Sequence, residues 1–77
     1  MVTATPSQTI SNLEYDLLTV LHNKAKALTA YETYIRDAQE TGSQPCVDLF
    51  QKLQRADQEQ AQELRQHLQQ VMQHGRM

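Results

Sequence analysis

The chain has few of the residues that usually fill or cross-link a small domain. Its 77 residues include no Trp, one Phe and three Tyr, and aromatic side chains make up only 5% of the sequence. A lone chain of this size buries a thin core and often needs a partner for stability. Cys46 is the single cysteine, which excludes an internal disulfide framework and a cysteine-based zinc site. We expect one small domain in a reducing, cytoplasmic setting.

The sequence also lacks a basic surplus, a long apolar run and an export signal. Its formal net charge is -2 and its pI is about 5.8, so it has no positive footprint for nucleic acid. No apolar run approaches the roughly 18 residues that cross a bilayer. No basic segment followed by an apolar stretch opens the sequence, which predicts no secretory signal. Neither a nucleic acid nor a membrane is an expected partner.

Because glycine and proline are scarce, the few that occur divide the chain clearly. Residues 1–9 are small and polar and include Pro6, which predicts a disordered tail. Ser11 and Glu14 fit a helix-capping box, with Ser11 at the N-cap and Glu14 three residues later. Helix 1 is predicted over about residues 10–41, a stretch that contains no Gly or Pro.

A short break separates helix 1 from a second helix of similar length. Gly42 suits the left-handed position that ends a helix, and Ser43 is a good N-cap. Pro45 fits the first turn of helix 2, predicted over about residues 44–73. So short a link forces the two helices antiparallel. The fold class is therefore all-α, with residues 10–74 forming a single helical hairpin.

Both helices carry apolar residues at alternating steps of three and four, the spacing of a buried helix face. On helix 1 this stripe is Ile10, Leu13, Leu17, Val20, Lys24, Ala27, Tyr31, Tyr34 and Ala38. On helix 2 it is Leu49, Phe50, Leu53, Asp57, Gln60, Leu64, His67, Leu68 and Val71. A second stripe on helix 1 lies beside the first and consists of Leu18, Leu21, Ala25, Leu28 and Ile35.

One hairpin cannot cover apolar faces this broad along helices of about 45 Å. Two hairpins packed face to face can, so we expect a homodimer that forms a four-helix bundle, with higher oligomers left open. The predicted dimer core is Leu13, Leu17, Leu21, Leu28, Tyr31, Leu53 and Leu64. The outer face of helix 2 is rich in glutamine, which suits either a neutral solvated surface or an unidentified protein partner: Gln51, Gln54, Gln58, Gln62, Gln66, Gln69 and Gln73.

Lys24, Asp57 and Gln60 are polar residues at positions where the stripes call for apolar ones. An inward lysine, carboxylate or amide needs a polar partner. Lys24 lies 18 residues before Gly42 and Asp57 lies 15 after it, so the two reach a similar height in an antiparallel hairpin. We predict an ion pair between Lys24 and Asp57, with Gln60 one turn along hydrogen-bonded to either.

The same polar positions belong to a longer ordered set of features in residues 24–64. Lys24 is followed one heptad later by Tyr31, and then by a turn that contains Gly42. The pair Leu49-Phe50 comes next, and the run Asp57-Gln58-Glu59-Gln60-Ala61-Gln62-Glu63-Leu64 comes last. This order resembles half of a ferritin-like, rubrerythrin-type di-iron carboxylate protein, whose run reads Glu-x-x-His-Ala-x-x-Leu. The resemblance covers about half the chain and needs no gap.

In that family, a Glu on the first helix and the Glu and His on the second bind two irons. The matching positions here are Lys24, Asp57 and Gln60. An ammonium is no ligand and repels a metal cation, and an amide lacks the imidazole nitrogen that suits iron. The resemblance implies a ferritin-like bundle with degenerate metal positions and predicts no metal, no cofactor and no enzymatic activity.

The expected function is therefore a non-catalytic structural or interaction module. An iron-handling or redox protein with an altered site made of Asp57, Glu32 and His67 is the alternative. The orientation of Lys24 separates the two, because an inward lysine disfavours metal. A third possibility is an organic ligand between the helices, since bundles host such sites. No set of residues in the sequence selects a ligand.

Overall fold

A computed structural model describes residues 10–75, which form two α-helices packed along each other. These are α1 (Asn12–Thr41) and α2 (Gln44–His74), joined by a two-residue link and therefore antiparallel. No strand occurs within this range. The prediction of an all-α helical hairpin is confirmed. The predicted disordered tail, residues 1–9, lies outside the described residues.

Side-chain and backbone caps define the limits of α1. The Ser11 hydroxyl accepts a hydrogen bond from the Glu14 N–H at 3.1 Å, so the predicted N-cap is confirmed and the helix begins at Asn12. At the other end Gly42 has φ 80°, in the left-handed region. The Gly42 N–H donates to Gln39 O at 3.0 Å and the Ser43 N–H to Ala38 O at 2.9 Å. These two bonds form a Schellman motif that satisfies carbonyls left free at the helix end.

The same short link starts α2. The Ser43 hydroxyl accepts from the Cys46 N–H at 3.4 Å, and Pro45 lies in the first turn, where no N–H donor is needed. Gly75, with φ 76°, closes the helix, and its N–H donates to Val71 O at 2.7 Å. Because caps at both ends of both helices come from nearby residues, local sequence alone sets the limits of the hairpin.

The contact between the helices buries very little. The residues classed as buried are Ala38, Val47, Leu68 and Val71. The first two lie near the turn and the last two near the open end of the hairpin, while the middle of the contact holds half-buried Lys24 and Asp57. The shape is a thin slab of 51 × 21 × 15 Å with a radius of gyration of 16.6 Å. A compact monomer of this length has a radius of gyration of about 11 Å.

The left-handed turn glycine provides a test of the hairpin geometry. Gly42→Ala should lower the free energy of unfolding by about 1 kcal/mol, because a Cβ is strained at positive φ. Space is not the cause, since nothing lies within 4 Å of an added Cβ at Gly42 or at Gly75. Gly75→Ala is the matched control, since Gly75 has φ 76° at the end of α2. It should lower the free energy of unfolding by less, because the strain there frays only the last turn of α2.

Urea unfolding of both variants at one protein concentration measures this difference. Equal stability of Gly42→Ala and the parent would contradict the left-handed turn.

Candidate functional site

A polar cluster lies halfway along the hairpin, between the two helices. The Lys24 ammonium donates to Gln60 Oε1 at 2.8 Å and to Asp57 Oδ1 at 3.4 Å. The side chains of Lys24 and Asp57 are 24% and 19% exposed. They form the only ion pair within residues 10–75. The predicted meeting of these three residues is confirmed. The amide oxygen is thus the nearer acceptor of the ammonium, and the carboxylate supplies the opposite charge.

Tyr31 is a fourth member of this cluster. Desolvation raises its pKa above the ordinary value, and the negative charge of Asp57 and a hydrogen bond to that carboxylate raise the pKa further. From the sequence, Tyr31 is expected in the dimer core, with no link to Asp57. Its spacing could have shown the link, because it lies one heptad after Lys24 on the same stripe. The Asp57 carboxylate therefore has a cation and a phenol as neighbours.

An aromatic group continues from the cluster toward the turn. The rings of Tyr31 and Tyr34 meet edge to face, with centroids 5.7 Å apart at 86°. Tyr34 then packs against Phe50 across the helices at 5.9 Å. Edge-to-face contacts of this kind add a fraction of a kcal/mol to about 1.5 kcal/mol beyond burial. The rings link the two helices near the turn, although Tyr34 itself is 45% exposed.

One side of the hairpin exposes a row of large apolar side chains, and we call this side the open face. A groove of about 410 Å³ on it is lined by Leu17, Val20, Lys24, Gln60, Glu63, Leu64 and His67. A second groove of about 230 Å³ continues it toward the turn, with Tyr34, Cys46 and Phe50 among its lining residues. Leu13 and Leu53 lie on the same side, each seven residues from a groove-lining residue of its own helix.

The other side of the hairpin, the opposite face, holds two grooves of about 550 and 590 Å³. They set Leu21 and Leu28 of α1 against a mixed wall of α2, in which Ala61, Leu68 and Met72 lie among arginines and glutamines: Arg55, Gln58, Gln62, Arg65, Gln66, Gln69 and Gln73. The residues predicted for the dimer core are thus divided between the faces. Leu13, Leu17, Tyr31, Leu53 and Leu64 lie on the open side, whereas Leu21 and Leu28 lie on the opposite side. Gln54, expected on the outer surface, is half-buried instead.

The residues of the alternative metal site are not brought together. Glu32 is exposed on α1, and the His67 Nδ1 lies 2.8 Å from Glu63 O. Because a carbonyl only accepts, Nδ1 carries the proton and donates. No group of three or more His, Cys, Asp or Glu side chains close enough to hold a metal ion occurs in the described part of the chain. Neither α1 nor α2 is long and apolar enough to cross a membrane.

No protein-family model matches this chain, and no curated protein or solved structure matches it either. The site is therefore interpreted from its own geometry.

The polar cluster should behave as one energetic unit. Lys24→Met should destabilise the protein by about 1–3 kcal/mol, because it leaves the Asp57 carboxylate without its cation in a half-buried position. Adding Asp57→Leu should recover most of that loss, since both polar partners are then gone. Lys26→Met removes the same charge from an exposed position of α1 and should be nearly neutral. Urea melts of the parent, Lys24→Met, Asp57→Leu and the double variant at one concentration form the double-mutant cycle, and Lys26→Met is measured beside them.

If the two single losses simply add in the double variant, Lys24 and Asp57 are not coupled.

The raised pKa of Tyr31 has a testable consequence at alkaline pH. Phenolate absorbance should show one phenol ionising above the ordinary tyrosine pKa of about 10, and Tyr31→Phe should remove it. Asp57→Asn should lower that pKa, whereas Asp48→Asn, at an exposed position, should not. Because the folded-state pKa is the higher one, the stability contributed by Tyr31 is present at neutral pH and is lost as pH rises through that pKa. An unchanged titration in Asp57→Asn would contradict the contact.

Proposed function

We propose that this chain is a non-catalytic assembly module whose open face packs against the open face of a second copy. The product is a homodimeric four-helix bundle of the ferritin-like type. The observation that carries the proposal is the exposure of large apolar side chains on the open face. Those concerned are Leu13 (44%), Val20 (48%), Tyr34 (45%), Leu53 (40%) and, one turn before it on α2, Leu49 (49%). A hairpin that buries so few of its described residues gains most of its available stability by covering this face.

The size of the face suits a stable dimer. The two long dimensions of the hairpin are 51 and 21 Å, so one face covers on the order of 1,000 Å², against about 800 Å² per partner in a standard-size interface. On the opposite face, arginine and glutamine side chains of α2 surround the apolar groups Ala61, Leu68 and Met72. The number of large exposed apolar side chains favours association through the open face.

The polar cluster supports a structural role over metal chemistry. Lys24 lies between the helices and bonds to Asp57 and Gln60, so an ammonium takes the place where the ferritin-like resemblance puts a carboxylate ligand. That charge repels a cation, and the Asp57 carboxylate is already balanced. The cluster has no net charge, and its ammonium and carboxylate bond to each other within the chain, which suits a layer between the helices of a bundle.

Two leucine substitutions with matched exposure test the proposal. Sedimentation at micromolar concentration should give twice the 8.9 kDa chain mass for the parent. Leu53→Asp on the open face should dissociate the dimer and unfold the chain together, because folding and association are coupled. Leu18→Asp is the control: Leu18 is 39% exposed, close to the 40% of Leu53, but lies on the second stripe of α1, toward the opposite face. It should retain the dimer.

A stably folded monomer of the parent at this concentration would overturn the proposal. So would dissociation by Leu18→Asp with no effect of Leu53→Asp, because the wrong face would then be the interface.

A further inference from the structure

We propose that the polar cluster makes the open face selective for a second copy of this chain, because two copies exchange ion pairs and hydrogen bonds between their clusters. This inference rests on the proposed function and adds the identity of the partner. It concerns Lys24, Asp57 and Gln60, whose hydrogen-bonding groups are only partly paired within one hairpin.

The hydrogen-bonding capacity left over in the cluster is the first observation. The Lys24 ammonium has three N–H donors and makes two side-chain bonds among the described residues, to Asp57 and Gln60. Gln60 accepts through Oε1, and its amide nitrogen, with two further donors, makes no hydrogen bond within the described residues. Gln60 is exposed and lines the open groove. Donors thus remain on the side that a partner would cover.

An apolar partner helix would bury these groups without satisfying them. Burial of an unpaired donor or charge is strongly disfavoured, whereas burial of a paired one is tolerated. Leu17, Val20 and Leu64 line the groove around the polar cluster, together with the polar side chains of Glu63 and His67. Contact with an apolar surface is therefore favourable over most of the open face and unfavourable at the polar cluster in its centre.

A second copy resolves this conflict, because it carries the same donors and acceptors. Lys24 and Asp57 have opposite charges, so two clusters meet without net repulsion. The cluster also lies near the middle of the hairpin: Lys24 is 18 residues from Gly42 in a helix of 30 residues. In a two-fold symmetric interface, central groups meet their own copies at one level. A slip of one heptad, about 10 Å, would instead set Lys24 against apolar side chains of the partner.

Charge reversals placed in separate chains test this selection. Lys24→Glu gives a chain with two carboxylates in the cluster, and Asp57→Lys gives a chain with two ammonium groups. Like charges then face each other inside either chain, so favourable pairs can form only between chains. After co-refolding, native mass spectrometry should show the mixed dimer favoured about tenfold over the statistical ratio, within the range of measured coupling between contacting residues.

The controls use the parent and a surface pair. A mixture of isotopically light and heavy parent chains should give the statistical ratio of dimers. The charge reversals Lys26→Glu and Glu59→Lys lie at exposed positions. Placed in separate chains, they should also give the statistical ratio of dimers, because surface ion pairs add little to stability. If either cluster variant fails to fold alone, a folded mixed dimer upon co-refolding supports the inference, and the absence of folded protein in the mixture overturns it.

The proposed dimer and the proposed selection of a second copy as partner fail in distinguishable ways. A dimeric parent with a statistical mixture of the cluster variants would overturn partner selection and leave the proposed function standing. A monomeric parent would overturn both.

Discussion

Two helices that touch along one line can bury only one stripe of each, and that constraint shapes this hairpin. The caps set helices of 30 and 31 residues, but their contact buries only small or aliphatic side chains near its two ends. The middle of the contact holds Lys24 and Asp57 instead. Stability from one hairpin is therefore small, and the exposed apolar side chains of the open face represent the stabilisation still available through association.

The polar cluster restricts which surfaces can pack against the open face. Apolar surface alone would accept many partners, since hydrophobic contact has little directionality. A polar group at the centre of such a surface adds specificity at some cost in stability, as polar residues do in the seams of coiled coils. Here the short bond from Lys24 to Gln60 holds the ammonium in a defined position, and Tyr31 adds a neighbour to the Asp57 carboxylate. The cluster is thus organised by contacts within a single chain.

The sequence predicts the hairpin well because local signals determine it. Ser11, Gly42 and Ser43 act on backbone groups within a few residues, and counting from Gly42 places Lys24 level with Asp57. The rotation of each helix about its axis is not a local property. Both apolar stripes of α1 satisfy the same periodicity, so the sequence assigns Leu21 and Leu28 to a common core with Leu13. Packing of whole side-chain rows instead sets them beside the arginines and glutamines of α2.

The most direct test of this account is to observe which side chains meet between chains. An equal mixture of isotope-labelled and unlabelled protein, studied by filtered nuclear Overhauser spectroscopy, reports only contacts between different chains. We expect such contacts from the methyl groups of Val20 and Leu53 on the open face, and none from Leu18 and Leu28. Contacts confined to Leu18 and Leu28, or no contacts between chains in a folded sample, would contradict the assignment of the open face as the interface.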